Sequence, residues 1–140
     1  MLPGRLVIDT NVLVSAALNP NGLQQDVLRL ALTKPAHWYA SRTILAEYAD
    51  VLSRPRLHIR SGLRLQMLQL VKNNAHIVRP ARRISESIDL DDNKFLECAD
   101  VARADHLITG NLKHFPPSWK MTRIVSPREF IDLMALHQKT

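Results

Sequence analysis

Leu6, Val7 and Ile8 form a short apolar, partly β-branched run that ends on an acid, Asp9, and the helical spacing of Val12, Leu13 and Ala16 follows at once. A run this short and apolar reads as a strand buried on both faces, the situation of a sheet covered by helices on each side. In an open parallel sheet, ligands collect outside the carboxyl ends of the strands, and Asp9 stands at such an end. A carboxylate there costs desolvation free energy unless a cation or hydrogen-bond donors compensate it. Capping of the following helix explains an Asp at this position equally well, and the stretch by itself leaves both readings open.

The same alternation runs through the chain. Residues 19–22 (Asn-Pro-Asn-Gly) are a turn signal, and a helix through Leu23, Val27, Leu30 and Ala31 ends near Pro35. Residues 37–40 read as a second strand. Ser41 or Thr43 caps a helix over 42–52, whose apolar stripe is Ile44, Leu45, Tyr48, Val51 and Leu52. Arg54 to His58 breaks that helix, and another spans 63–74. A third strand covers 75–78. The loop carrying Arg79, Arg82 and Arg83 reads as a solvated basic surface, with phosphate contact as its functional alternative. Asp89, Asp91 and Asp92 open a helix with an inward stripe of Phe95, Leu96, Ala99 and Ala102. A fourth strand follows Asp105 and ends on Thr109, Gly110 and Asn111. Ile124 and Val125 are a minimal fifth strand. Ser126, Pro127 and Glu129 then carry the N-cap, N1 and N3 signals of a last helix, which packs on the sheet through Phe130, Leu133 and Met134. Strands alternating with helices over short loops predict one α/β domain across 1–140, with a parallel sheet between helical layers. The strand order does not follow from the pattern.

Composition narrows the function classes. An apolar fraction of 46% in 140 residues supports an ordered core. No apolar run approaches the ~20 residues of a membrane span, and the first residues lack a secretory leader, so a cytoplasmic protein with no membrane partner is expected. Cys98 is the single cysteine and reads as a small buried hydrophobe. The net charge of +6 suits a polyanionic partner, nucleic acid or an acidic protein.

The acids give this charge a chemistry. At about 100° per residue, Asp50 lies nearly opposite the stripe of its helix, whereas Glu47 sits at the margin and can reach a site beside the core. Asp91 and Asp92 flank their own stripe on opposite sides, so periodicity does not choose between them. Asp9 and Asn111 fall at the same edge of the sheet, and Asp92 begins a helix on that side. Together with Glu47 they form a set of mostly oxygen ligands with no thiolate. Such a set favours Mg²⁺ or Mn²⁺ over zinc. Beside a basic surface, that predicts metal-assisted phosphodiester hydrolysis.

These residues resemble a family. Val7 to Ala16, Glu47, Asp91 to Ala99, and Asp105 to Pro116 occur in the order found in PIN-domain proteins, and are most similar to the toxin branch related to VapC-type ribonucleases. The resemblance implies a three-layer α/β/α sandwich with a mostly parallel sheet. It also implies an Mg²⁺- or Mn²⁺-dependent endoribonuclease that forms a homodimer and pairs with a small antitoxin protein. By position, Asp9, Glu47 and Asp92 match the three principal acids and metal ligands. Asn11 and Thr109 match supporting polar positions. The fourth acidic position falls on Asn111, an amide that adds no charge, which implies one tightly held ion. Asp105 is expected to be structural or supporting. His114 is the histidine nearest this set, while His37, His58, His76, His106 and His137 read as surface or packing residues. The rival expectation is a PIN-fold RNA- or protein-binding module with weak or no nuclease activity. The RNA target is not legible.

Overall fold

The run at Leu6–Ile8 forms the body of strand β1 (Arg5–Ile8), and all three of its side chains are fully buried. The structure is a computed structural model that describes residues 4–87 and 89–138, with only the backbone described for 137 and 138. The expectations for the first three residues and for the His137 side chain lie outside the described set. In order, α1 (Thr10–Leu18), α2 (Leu23–Ala31), β2 (His37–Ala40), α3 (Arg42–Leu52), α4 (Ser61–Asn74) and β3 (His76–Ile77) follow. The remaining elements are α5 (Asn93–Ala102), β4 (His106–Ile108), β5 (Ser118–Trp119), β6 (Thr122–Val125) and α6 (Pro127–Gln138).

The sheet order is β3-β2-β1-β4-β6-β5, with every pair parallel except β5 and β6. The chain therefore builds outward from β1 through β2 to β3, then returns to the other side of β1 with β4 and β6. That reversal places the topological switch point between β1 and β4, where Ile8 pairs with Ile108. The crevice of such a sheet opens at the carboxyl ends of those two strands. Helix α5 lies over β1, β2 and β4, α3 packs against α1, α4 and α5, and α2 packs against α6. Burial of β1 on both faces follows from this sandwich, as a parallel strand requires.

Local signals set most element ends. The Ser41 side chain accepts from the Ile44 N–H and starts α3. At α6, Ser126 and Glu129 exchange side-chain-to-backbone bonds of 3.1 Å in each direction, a complete capping box. The structure adds one strand to the expected five. Trp119 pairs with Thr122 across a two-residue loop in which Lys120 adopts φ 52°. Hairpin loops of this length favour Gly or Asn at left-handed positions, and neither marks this one in the sequence.

Candidate metal and phosphate site

Asp9 leaves β1 at the switch point, only 4% exposed, with its N–H donating to the Ile108 carbonyl at 2.9 Å. It occupies the N-cap position of α1, yet its side chain makes no capping bond. The carboxylate turns instead toward β4. Its Oδ2 accepts from the Thr109 hydroxyl at 2.7 Å and from the Asn11 amide at 3.1 Å. Asn11 in turn accepts from the Gly110 N–H at 2.9 Å, and Thr109 Oγ1 accepts from the Asn111 N–H at 2.9 Å. The ends of two neighbouring strands thus lock one carboxylate. Gly110 lets the backbone come this close, since a Cβ there would stand 3.3 Å from Asn11 Oδ1. Burial raises the Asp9 pKa to about 6 against the pull of the Thr109 hydrogen bond, and the charges of Asp92 and Glu47 push it the same way.

Glu47 reaches the site from α3. The adjacent Tyr48 is fully buried and donates its hydroxyl to the Ile8 carbonyl, which pins this helix to the end of β1. Both Glu47 oxygens are engaged. Oε2 accepts from the Thr10 hydroxyl, and Oε1 pairs with Lys94 Nζ at 2.5 Å, in side chains only 22% and 18% exposed. Asp50, three residues on, is exposed and pairs with Arg54, as its place on the wheel predicted.

The acidic turn before α5 divides its labour. Asp89 accepts from the Asp91 N–H and caps the turn, and Asp91 is exposed. Asp92 is half-buried and, although it precedes α5, makes no side-chain cap; its Oδ2 meets His114 Nδ1 at 3.0 Å. Burial raises the Asp92 pKa, and contact with His114 opposes the rise. Ligand atoms of Asp89, Asp92 and His114 lie within 4.8 Å of one another, the one such set among the described residues. Asn111 stands at the exposed rim and is tied in through its backbone.

Asp105 stands apart from this group. Its Oδ2 accepts from the Gly4 and Arg5 N–H groups at 3.0 and 2.9 Å, joining the amino ends of β1 and β4 at the edge opposite Asp9. Cys98 is buried in the core, and burial pushes its thiol up to about 12, so it offers no thiolate. Periodicity and motif order did not assign roles to Thr10 or Lys94. Thr10 and Lys94 lie one and two residues from Asp9 and Asp92, but their bonds to Glu47 exist only once α1, α3 and α5 are packed.

Carboxylate oxygens with one imidazole at the margin suit a hard divalent cation. Asp9 and Glu47 lie outside the converging set of Asp89, Asp92 and His114, although the charges of Asp92 and Glu47 reach Asp9 and add to the effect of burial on its pKa. Two comparisons place the chain among known sequences. A sequence model of the PIN domain family matches residues 5–113, a span that includes Asp9, Glu47, Asp89, Asp91, Asp92 and Asp105. The chain is also similar to "Uncharacterized protein MJ1680" of Methanocaldococcus jannaschii, with 29% identity over 140 positions covering 91% of this chain and 90% of that one.

Proposed function

Because the chain belongs to the PIN-domain family, we propose that it is a metal-dependent endoribonuclease, a single catalytic domain over 1–140 that acts in the cytoplasm as the toxin of a type II toxin–antitoxin pair. The observation that carries the nuclease reading is Asp9, a buried carboxylate at the sheet's switch point with Asp92 and Glu47 near enough to raise its pKa. Asp9, Glu47 and Asp92 are the proposed ligands of one Mg²⁺ or Mn²⁺ ion. When bound, that ion polarises the phosphoryl group and acidifies the attacking water. Thr109 and Asn11 hold Asp9 in one orientation, so no reorganisation is needed when charge develops. Lys94 balances Glu47, and Asn111, the fourth member of the proposed catalytic set, would offer its amide carbonyl to the ion or orient a water. The net charge of +6 favours RNA as the partner.

Incubation of the purified chain with a mixed RNA pool tests this reading. Cleavage in Mg²⁺ or Mn²⁺ that is abolished both by EDTA and by Asp9→Asn is expected. Salt-sensitive RNA binding without cleavage in either metal would replace the enzyme with a binding module. The toxin role and the homodimer follow the family resemblance. They predict growth arrest on expression, relieved by the product of a short neighbouring reading frame, and a two-chain mass by light scattering.

A further inference from the structure

A cavity of about 460 Å³ opens beside the acidic turn, within the roughly 300–1,000 Å³ range of ligand sites. One wall is the segment of Arg83, Ile84 and Ser85, and the other is the start of α5 with the turn before it, from Leu90 and Asp91 to Glu97. Lys94 lines the cavity and also holds Glu47, so the two sites share a wall. The Glu97 carboxylate accepts from the Ile84 N–H at 3.0 Å and fixes the spacing of the walls.

Three features here have no part in packing. Leu90 is 73% exposed, a broad apolar surface at the mouth. Arg83 makes no ion pair among the described residues, whereas the adjacent Arg82 is committed to Asp100 and lies over the Trp119 ring. The Asp91 carboxylate is exposed and accepts no hydrogen bond among the described residues, although its backbone is fixed by Asp89. An apolar platform, an uncommitted guanidinium and an uncommitted carboxylate are the parts that read an unstacked nucleotide. The rings pack on the platform, the cation meets phosphate, and the carboxylate meets a base edge.

We propose that this cavity is the base-reading subsite for single-stranded RNA, with Arg83 on a phosphate and Asp91 on the Watson–Crick edge of guanine. The inference rests on the nuclease reading for its substrate class. Its base choice follows from donor count. An ionised carboxylate only accepts hydrogen bonds, and guanine presents N1–H and the 2-amino group side by side. Adenine and cytosine set one amino group beside a ring nitrogen acceptor, and uracil sets one N–H between two carbonyls. Both arrangements place lone pairs against the carboxylate.

Fluorescence anisotropy with labelled oligouridine, with or without one central guanosine, tests the subsite in Ca²⁺, and cut-site mapping in Mg²⁺ and Mn²⁺ accompanies it. The wild type is expected to bind the guanosine oligomer about tenfold more tightly, the scale of one bidentate base contact, and to cut beside guanosine. Asp91→Ala should reduce the ratio to about one. Arg83→Ala should weaken both oligomers and lower the slope of log affinity against log salt by about 0.7, one phosphate contact on a single strand. Both side chains are exposed, and circular dichroism verifies that the variants fold. An unchanged guanosine preference in Asp91→Ala, or no preference in the wild type, overturns the subsite. Cleavage that persists with its base preference unaltered in both variants leaves the nuclease and removes the subsite. Guanosine-selective binding lost in Asp91→Ala, with no cleavage in either metal, does the reverse.

Discussion

Asp9 is buried where the ends of β1 and β4 meet. Its pKa rises from 3.8 to about 6 because burial outweighs the Thr109 hydrogen bond. Between those values the folded chain holds a proton that the unfolded chain has released. Without metal, stability should therefore fall as pH rises across that window and level off above it, by at most about 3 kcal/mol for this residue. Urea unfolding from pH 4 to 8 in EDTA measures the slope, and Asp9→Asn should reduce it to the part left by Asp92, whose pKa burial also raises, while being more stable than wild type at pH 7.5. A slope unchanged by the substitution would show that Asp9 does not govern the window. Asp9 was legible as a strand-end acid, but its two explanations were separated only by where the carboxylate turned. The helix begins immediately after it, and the side chain still goes to Thr109, a residue 100 positions away. Asp92 shows the same limit. Its neighbours Asp89 and Asp91 share its composition, and only tertiary packing aims Asp92 at His114.

At the scale of elements, α3 and α5 are cross-linked by Lys94 and Glu47, and β1 and β4 are joined at opposite ends by Asp9 and Asp105. Lys94→Met leaves the half-buried Glu47 without its cation. It should lower stability in EDTA by about 1–3 kcal/mol, and saturating Mn²⁺ should recover part of that loss by taking over the charge. Equal losses with and without Mn²⁺ would separate Lys94 from the metal site. Asp105→Ala removes the acceptor for two backbone donors and should cost about 1–3 kcal/mol, with RNA cleavage per folded molecule unchanged. Reduced cleavage at full folding would bring Asp105 back into the site. Element identity was readable where the signal is local: the apolar stripe of α3 repeats within one helix, and the Ser41 cap and the Ser126–Glu129 box each lie within one turn. The hairpin of β5 and β6 was not readable, because Lys120 takes the left-handed position that Gly or Asn would have advertised.

For the whole molecule, the α/β alternation predicted the sandwich, and the strand order came only from the structure, since it depends on which strands pair across long stretches of chain. That order matters for function. With β1 central and the chain reversing between β1 and β4, the polar ends of both strands converge on one crevice, and Glu47 of α3 and Asp92 just before α5 act on it electrostatically. Among the described residues no helix is long and apolar enough to cross a membrane. The basic surface should make RNA affinity fall steeply with salt, and a flat response between 50 and 200 mM salt, measured by anisotropy, would count against a phosphate-tracking face. Calorimetric titration of Mn²⁺ into wild type and Asp9→Asn tests whether Asp9, Glu47 and Asp92 hold a divalent cation. One saturable site is expected in the wild type, with at least a tenfold loss of affinity in the variant, about 1.4 kcal/mol or more. Equal binding in both proteins, or none in either at millimolar Mn²⁺, would contradict that expectation.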